Sequence, residues 1–288
     1  MRVSLFHSTA IGIFMIDSDR IHQREVIGLL PAGGQATRIA PLPMSKELYP
    51  IGFRPVDSGS GTLRPKVVSH YLLEKMRLAG IKKAYTVLRP GKWDIPAYFG
   101  DGTLLDMNLG YLMLGLPYGV PYTLDQAYPF VQDAVVALGF PDILFQPEDA
   151  FVRLLARLAA GNADAVLGLF PNDQPHKAGM VDFDAEGRVH FVVEKPPISD
   201  LKYMWAIAVW TPAFTQFMHE YLAAIQAGQV PQAKELPISD VVQAAIDSGL
   251  RVEAETFPDG TYLDIGTPAD LVKAVRQFAA DEIDIQID

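Results

Sequence analysis

The chain has 288 residues, carries 24 basic against 34 acidic side chains, and contains no cysteine. Its net charge of −10 disfavours nucleic acid and anionic membrane surfaces as partners, so an anionic substrate would need clustered arginine and lysine side chains and a divalent cation. The missing cysteine excludes disulfides and thiolate catalysis and favours a reducing, cytoplasmic compartment. No apolar run approaches the roughly 18 residues of a membrane span.

Residues 1–24 are predicted to be an N-terminal extension, followed by a single domain over residues 25–288. A mostly apolar stretch from Val3 to Ile16 weakly resembles the apolar region of a signal peptide. Asp17 follows it without a small-x-small cleavage site, so we do not expect export. No internal repeat, low-complexity segment or linker interrupts the rest of the chain.

A glycine-containing segment follows the first predicted strand. The apolar run Val26–Leu30 indicates a buried strand, and it ends in Ala32-Gly33-Gly34, where small residues let backbone N–H groups face an anion. Arg38 and Lys46 follow closely, and a glycine turn with a guanidinium and an ammonium suits a polyphosphate. An ordinary strand-to-helix turn is the alternative. The segment matches neither the Walker A loop nor G-x-G-x-x-G.

Strands and helices then alternate as in a mainly parallel sheet. Pro65 is the predicted start of a helix whose apolar residues repeat at helical spacing until Gly80. A second helix is predicted from the acidic turn at residues 147–149 to Leu158. Further strands are predicted at 84–88, 134–138 and 165–170, a hairpin at 180–183 and 189–193, and helices at 212–227, 238–247 and 268–280.

The order of these motifs resembles the sugar-1-phosphate nucleotidyltransferases, the pyrophosphorylases that make nucleotide sugars. Their opening pattern is roughly L-A-G-G-x-G-T-R-L-x-P-x-T, then a lysine in P-K or S-K and L-L-P. The matching residues are Gly33, Gly34, Thr37, Arg38, Pro41, Ser45, Lys46 and Pro50. Ala36 departs from the usual glycine. The resemblance extends to about Phe278 and implies a three-layer α/β/α Rossmann-like (GT-A-like) fold with a mainly parallel mixed sheet.

The resemblance implies that the glycine segment binds a nucleoside triphosphate, with Arg38 and Lys46 as catalytic residues. The implied nucleotide-binding residues are Leu30, Ala32, Gly33, Gly34, Thr37, Leu114 and Gly119. The segment Leu116-Pro-Tyr-Gly119 stands where members carry a loop around the base. In thymidylyl- and uridylyltransferases, the closest members in pattern, a glutamine five residues before the loop glycine reads the pyrimidine, but here that position is Leu114. We therefore expect dTTP or UTP to be used, with weak preference between them.

Two aspartates are the implied ligands of Mg2+, the expected cofactor. In the family the strand corresponding to residues 134–138 ends in G-D, whereas here Asp142 comes two residues late. Asp264, in Y-L-D-I-G-T-P, resembles the W-x-D-x-G-T-P motif whose aspartate completes the metal site. Mg2+ suits a few carboxylates together with phosphate oxygens and water. For each aspartate, a turn or helix-capping role is the alternative.

The sugar phosphate is assigned to two short segments and one strand. Glu194-Lys195-Pro196 matches the family's E-K-P, in which the carboxylate accepts hydrogen bonds from sugar hydroxyls and the ammonium holds the phosphate. A solvated ion pair is the alternative. Gly179 resembles the glycine of Y-G-V-V, whose backbone approaches the hexose, and Ala206 replaces the glycine of a T-G-x-Y strand. The identity of the sugar is therefore open.

The implied reaction joins a sugar 1-phosphate to a nucleoside triphosphate and releases pyrophosphate. One alternative is a catalytically silent regulatory or assembly subunit of the same fold, against which the retained charged residues argue. The other is a GT-A-type glycosyltransferase, whose Asp-x-Asp motif occurs only at Asp17-Ser-Asp19 and Asp182-Phe-Asp184, neither at the end of a central predicted strand. The histidines lack zinc-ligand spacing. A homo-oligomer is open, and the tetramer of full-size thymidylyltransferases is not assumed.

Overall fold

The structure is a computed structural model that describes residues 24–55, 62–115, 118–228 and 235–282. Residues 1–23 of the predicted extension, which include Asp17-Ser-Asp19, lie outside the described residues. The first two residues of the predicted base loop, Leu116 and Pro117, also lie outside them. None of the helices in the described ranges is both long and apolar enough to cross a bilayer.

The described residues form thirteen strands and eight helices, with short 3-10 turns between them. The strands are β1 (Val26–Ala32), β2 (Pro50–Pro55), β3 (Leu63–Val67), β4 (Lys83–Leu88), β5 (Asn108–Met113), β6 (Val135–Gly139), β7 (Ile143–Gln146), β8 (Ala165–Pro171), β9 (Gly179–Phe183), β10 (Val189–Glu194), β11 (Tyr203–Trp210), β12 (Val252–Thr256) and β13 (Thr261–Asp264). The helices are α1 (Val68–Leu78), α2 (Asp94–Phe99), α3 (Val120–Asp125), α4 (Tyr128–Val131), α5 (Ala150–Ala160), α6 (Pro212–Gln226), α7 (Ile238–Asp247) and α8 (Pro268–Glu282).

Nine strands form a central mixed sheet in which β5, β4, β1, β6 and β11 are consecutive neighbours. β11 also pairs with β8, which continues to β12, and with β9, which continues to β10. The pairings of β1 with β4 and β6, of β4 with β5 and of β8 with β12 are parallel, whereas every pairing of β11 is antiparallel. β10 and β11 therefore run against the other seven strands, so the predicted mainly parallel mixed sheet is confirmed.

Helices cover both faces of this sheet. Along β1, Ile27 and Leu29 pack into a core shared with α6 and α7, while Leu30 and Ala32 pack into a second core shared with α1 and α5. Successive side chains of a strand point to opposite faces, so a nearly uninterrupted apolar strand is buried on both sides. This arrangement confirms the three-layer α/β/α fold.

A separate two-stranded sheet carries one of the predicted metal ligands. β13 pairs antiparallel with β7, which places Asp264 opposite Ile143 and next to Asp142. The Ile265 backbone N–H donates to the Asp142 carbonyl oxygen at 3.2 Å. Ile265 also anchors a small third core with Leu144, beneath α8. The β7–β13 pairing and the Ile265–Asp142 hydrogen bond thus place the two aspartates side by side.

Most predicted elements agree with the structure to within about two residues, but one helix start was wrong. Pro65 lies in β3, and α1 begins at Val68. β3 pairs only with β2 among the described strands, and proline is tolerated in such an edge strand because no ladder partner needs its missing N–H group. The β2–β3 hairpin and the β7–β13 pair were not predicted.

Candidate active site

Two adjoining cavities open at the edge of the sheet where β1, β4 and β6 end. In an open α/β sheet, a ligand usually binds at the carboxyl ends of the strands, at the point where the strand order reverses. Here that point is β1, which lies between β4 and β6. The first cavity has a volume of about 560 Å³ and is lined by Gly33, Gly34, Thr37, Arg38, Lys46, Leu114, Gly119 and Asp142, among others. The second, of about 430 Å³, is lined by Gly179, Glu194, Lys195, Trp205, Ala206, Ser239 and Asp264, among others.

The predicted residues therefore divide between the cavities, with two exceptions. Leu30 and Ala32 are each only 1% exposed and pack in the core, so their side chains do not line the first cavity. Val120, Phe140 and Glu235 line both cavities and form their common wall. The two aspartates lie on either side of this boundary, Asp142 in the first cavity and Asp264 in the second.

Lys46 forms an ion pair with Asp142 at the boundary. Lys46 opens a 3-10 turn, Lys46–Leu48, and its ammonium contacts Asp142 Oδ2 with both side chains largely buried. Burial acts to lower the pKa of Lys46, but the negative charges of Asp142 and then Asp264 outweigh it and raise that pKa above its ordinary value. Lys46 is therefore a fixed positive charge at neutral pH.

Asp264 has an unsatisfied carboxylate oxygen. Its Oδ1 atom is buried and lacks a hydrogen-bond partner among the described residues, and its Oδ2 atom lies 3.6 Å from the Arg38 guanidinium. Burial, followed by the charge of Asp142, raises the pKa of Asp264. Two adjacent carboxylates and a free buried oxygen fit a divalent cation, which would remove both the repulsion and the unpaired acceptor.

No group of three or more histidine, cysteine, aspartate or glutamate side chains among the described residues is arranged to hold a metal. A cation at the two aspartates would therefore take its other ligands from phosphate oxygens and water, which is the coordination that Mg2+ prefers. The donor set is all oxygen, and it lies at the mouth of both cavities rather than inside the core.

Ala36, the departure from the family pattern, closes the glycine loop in a left-handed backbone conformation. Its φ is +54°, and its carbonyl oxygen accepts hydrogen bonds from the backbone N–H groups of Ile39 and Ala40. A glycine would adopt this conformation without strain, whereas alanine costs about 1 kcal/mol there. The loop shape expected for glycine is thus kept, and it presents Arg38 with 67% of its side chain exposed.

Gly119 shapes the far wall of the first cavity. Its φ is +122°, and a Cβ atom there would overlap the carbonyl oxygen of Leu236, so only glycine fits. On the near wall, a Cβ placed on Gly33 would lie 3.1 Å from Leu114 Cδ2 and 3.4 Å from Thr123 Oγ1. Thr123, which was not predicted, lines the same cavity as Leu114 and carries a hydroxyl group, which donates to the Gly119 carbonyl oxygen at 3.3 Å.

A chain of hydrogen bonds orients the charged pair of the second cavity. Trp205 Nε1 donates to Ser239 Oγ at 3.1 Å, and Ser239 Oγ donates to Glu194 Oε2 at 2.7 Å. The other Glu194 oxygen lies 2.9 Å from Lys195 Nζ. A Cβ on Gly179 would lie 2.5 Å from Ser239 Oγ, so the absence of a side chain at Gly179 makes room for this chain.

Lys195 has a left-handed backbone with φ +44°, an uncommon conformation for lysine. Such strain is kept where the surroundings fix the backbone, and here the Lys195 N–H donates to the Ala178 carbonyl oxygen at 3.0 Å. Sequence reasoning missed Ser239, which stands in no motif, and gave no role to Trp205, although it precedes Ala206 in the T-G-x-Y segment. Both act on Glu194 only through the folded chain.

The segment around Lys46 is held by the loop that follows β4. The backbone N–H and Oγ of Ser45 donate to Asp94 at 2.6 and 2.7 Å. Lys92 Nζ donates to Glu47 Oε1 at 2.5 Å, and both of these side chains are buried. Sequence reasoning missed Lys92 and Asp94 as neighbours of the Lys46 turn, because 45 to 49 residues separate the hydrogen-bonded partners.

Comparison with known proteins places these features in context. The family model described as "Nucleotidyl transferase" matches residues 27–281. A low-salt glycan biosynthesis nucleotidyltransferase of Haloferax volcanii is 25% identical over 260 residues, which is 88% of this chain and 66% of that protein. A glucose-1-phosphate thymidylyltransferase of Streptomyces griseus is 29% identical over 255 residues, which is 86% of this chain and 64% of that protein. The chain thus spans just under two thirds of the length of these two relatives.

Solved structures agree in fold. A UDP-glucose pyrophosphorylase complexed with UDP-glucose superposes with a TM-score of 0.72 at 17% identity, covering 88% of this chain and 98% of that one. A UTP-bound UGPase from Acinetobacter baumannii superposes with a TM-score of 0.72 at 18% identity, covering 90% of this chain and 95% of that one. At this identity the likeness establishes the three-layer fold.

Proposed function

Because the chain belongs to the nucleotidyl transferase family, we propose that it joins a sugar 1-phosphate to a nucleoside triphosphate and releases pyrophosphate and a nucleotide sugar. The observation that carries the proposal is the boundary between the two cavities. Lys46 and Asp142 face the first cavity, and Asp264, Glu194 and Lys195 face the second. A triphosphate in the first cavity and a sugar phosphate in the second would bring their reacting groups together at the paired aspartates.

The proposed reaction is a direct displacement. A phosphate oxygen of the sugar 1-phosphate attacks the α-phosphorus, forming a new P–O bond. The bond from that phosphorus to the oxygen bridging the β-phosphate breaks, and pyrophosphate leaves with the electron pair. No enzyme nucleophile is needed, so the protein contributes positioning and charge.

Each charged side chain has a defined part in this scheme. The guanidinium of Arg38, exposed at the mouth of the first cavity, would hold the triphosphate, while Lys46 would lie between the two reacting phosphates. Lys195 would hold the phosphate of the sugar, and Glu194, oriented by Ser239, would accept hydrogen bonds from sugar hydroxyls. Together the cations would offset the repulsion between two anionic substrates.

Asp142 and Asp264 would hold Mg2+, which when bound supplies charge neutralisation on the phosphate oxygens. The free buried oxygen of Asp264 supports this assignment, because a carboxylate oxygen without a donor is costly in a protein interior. Lys46 already offsets part of the negative charge of the two aspartates, so both carboxylates can lie close together before a cation binds.

The base is proposed to be a pyrimidine, as in dTTP or UTP, with weak preference between the two. Leu114 lines the first cavity and can neither donate nor accept a hydrogen bond, so the discrimination that a buried polar contact supplies is missing at that position. Gly119 lines the same cavity, and the backbone of Leu236 packs against it. A preference above about a hundredfold between dTTP and UTP would show that another group, with Thr123 the first candidate, reads the base.

The two alternatives gain no support from the structure. The Asp182-Phe-Asp184 motif lies in the hairpin between β9 and β10, where Asp184 Oδ1 accepts hydrogen bonds from the backbone N–H groups of Glu186 and Arg188 at 3.1 and 2.8 Å. This motif therefore closes a turn. A silent subunit would not be expected to retain the Lys46–Asp142 ion pair, with Asp264 near enough to shift its electrostatics, at the boundary of two cavities.

The test is a substrate panel. Purified protein with Mg2+ is incubated with dTTP, UTP, CTP, ATP or GTP and with each of several hexose and aminohexose 1-phosphates, and pyrophosphate release is measured. The expected result is turnover with at least one sugar phosphate and a pyrimidine triphosphate, together with a nucleotide sugar of matching mass. The Lys46→Gln protein, prepared identically, controls for contaminating enzymes. Wild-type rates equal to this control for every pair would contradict the proposal.

A further inference from the structure

A third cavity of about 570 Å³ lies beside the first, on the side of the loop that follows β4. It shares Gly34, Gln35, Ala36 and Lys46 with the first cavity, so a ligand that extends past the glycine loop would enter it. Arg89, Lys92 and Asp94 form its opposite wall. No residue of this wall has a role in the proposed function so far.

Most charges in the third cavity are already paired within the protein. Lys46 contacts Asp142, Lys92 contacts Glu47, and Asp94 accepts two hydrogen bonds from Ser45. The guanidinium of Arg89, which is half-buried, has no hydrogen bond or ion pair with any other residue in the part of the chain that the structure describes. A half-buried guanidinium lining a cavity without a carboxylate partner is suited to an anion, above all a phosphate.

The backbone places Arg89 close to the glycine loop. β4 lies parallel to β1 with Leu88 in register with Ala32, so Arg89 and Gly33 leave the sheet side by side. The segment Arg89–Asp94 is then tied to the Lys46 turn by the buried Lys92–Glu47 pair and by the Asp94–Ser45 hydrogen bonds. Arg89 is therefore held at a fixed position relative to Lys46, which is the preorganisation that electrostatic stabilisation requires.

We propose that Arg89 binds the β- and γ-phosphates of the triphosphate in the third cavity and then the pyrophosphate released from it. This inference rests on the proposed function. As the bond between the α-phosphorus and the bridging oxygen breaks, negative charge grows on the leaving pyrophosphate, and the guanidinium of Arg89 donates hydrogen bonds to its oxygens. Arg38 and Arg89 approach the phosphates from the two sides of the glycine loop.

Ligands with and without a pyrophosphate group should respond differently to the loss of Arg89. A group that holds the pyrophosphate end affects binding of triphosphate and of inorganic pyrophosphate alike, and leaves a nucleoside monophosphate unaffected. A general anion site would respond equally to inorganic phosphate and to pyrophosphate. An effect on the monophosphate would instead assign Arg89 to the base, ribose or α-phosphate.

The test compares wild type with Arg89→Gln, Arg89→Lys and the matched control Arg188→Gln, whose arginine is exposed on the β9–β10 hairpin. Isothermal titration calorimetry in Mg2+ measures binding of inorganic pyrophosphate, UTP, UMP and inorganic phosphate. We expect Arg89→Gln to weaken pyrophosphate and UTP at least tenfold, or about 1.4 kcal/mol, with UMP within twofold of wild type. Arg89→Lys should recover part of the loss, and Arg188→Gln should match wild type.

Each outcome decides the inference. Unchanged pyrophosphate binding in Arg89→Gln, absence of pyrophosphate binding in wild type, or an equal loss of UMP binding would overturn it. Circular dichroism confirms that the variants are folded, and Arg89→Lys stands in where Arg89→Gln is not. Because these titrations contain no sugar phosphate, a failed substrate panel with intact Arg89-dependent pyrophosphate binding would refute the sugar substrate alone. A productive panel with unchanged binding would refute the Arg89 site alone.

Discussion

The charge of Lys46 depends on residues from distant parts of the chain. Asp142 follows β6 and Asp264 ends β13, yet both act on the Lys46 ammonium and keep it protonated. An unpaired ammonium with the same burial would lose its proton more easily. The contact therefore keeps a cation charged at the place where two anionic substrates are expected to meet.

Arg38→Ala is predicted to slow turnover by orders of magnitude without unfolding the protein. The side chain is 67% exposed and approaches Asp264 only to 3.6 Å, so its removal should cost little stability. Its loss removes transition-state charge stabilisation of about 3 kcal/mol or more. Steady-state pyrophosphate release measures the effect, with Arg188→Ala as the control. Near-normal turnover at saturating substrate would remove Arg38 from the mechanism.

Asp142→Asn and Asp264→Asn are each predicted to nearly abolish activity and to weaken the dependence of rate on Mg2+ concentration. Both would serve one ion, so the double variant should lose little more than either single variant. Asp182→Asn, in the hairpin, is the matched control and should behave as wild type. If Asp142→Asn retains the wild-type Mg2+ response, the two-residue displacement in the sequence has moved the ligand elsewhere.

At the scale of elements, the site consists of loops that leave the ends of neighbouring strands. The glycine loop follows β1, the segment Arg89–Asp94 follows β4, and Asp142 follows β6. These strands are parallel neighbours, so their carboxyl ends meet at one edge. The buried Lys92–Glu47 pair joins the segment after β4 to the Lys46 turn, and so connects that turn to the central sheet.

Lys92→Met tests how far the fold depends on this connection. Burial raises the pKa of Glu47, an effect that Lys92 opposes. Without Lys92 the buried carboxylate of Glu47 loses its ion-pair partner, which costs about 3 kcal/mol. Because the folded variant then binds a proton more tightly than the unfolded chain, the cost should shrink at low pH and grow as pH rises through the raised pKa.

Urea unfolding at pH 5 and pH 8 measures this effect. Lys82→Met, which removes an exposed pair with Asp106 at 2.7 Å, is the matched control and should change the free energy of unfolding by less than about 1 kcal/mol at either pH. Equal and small effects for both variants would show that Lys92 does not hold the Lys46 turn.

Local signals in the sequence account for what could be predicted. Buried strands, the glycine loop and the Glu194-Lys195 pair are contiguous patterns, so their elements and positions could be predicted. β7 and β13 are four residues each, too short for a periodic pattern, and they are stable only as a pair. Ser239 and Lys92 could not be predicted, because their roles arise from side-chain contacts across 45 residues of sequence.

At the scale of the whole molecule, an acidic protein gathers basic side chains at one edge. The net charge is −10, yet Arg38, Lys46, Arg89 and Lys92 line adjoining cavities at the ends of the central strands. Four acidic side chains of the same two cavities, Glu47, Asp94, Asp142 and Glu235, balance these four basic ones. The site is therefore much less acidic than the molecule as a whole, whose net charge repels nucleic acid. The charge distribution is therefore consistent with a nucleotide-sized substrate.

The free energy of unfolding is predicted to decrease as the pH is lowered, because one histidine is buried. Burial, together with the positive charges of Arg54 and Lys66, lowers the pKa of His70 from 6.5 to about 4. The unfolded chain binds more protons than the folded one between these values, so stability is lost as pH falls from about 6.5 to 4, by roughly 3 kcal/mol. His70→Leu should flatten this dependence in urea unfolding, whereas His176→Leu, at an exposed site, should not. An unchanged slope in His70→Leu would refute this assignment.

A direct transfer between the two cavities would carry the α-phosphorus of the triphosphate into the nucleotide sugar, so a label on that atom tests the proposed reaction. The triphosphate and sugar phosphate that react in the substrate panel are used with wild type and Lys46→Gln. We predict that wild type moves the label into the nucleotide sugar with one pyrophosphate released per sugar, that Lys46→Gln does not, and that no pyrophosphate–triphosphate exchange occurs without the sugar phosphate. Label bound covalently to the protein, or exchange in the absence of sugar phosphate, would contradict the account.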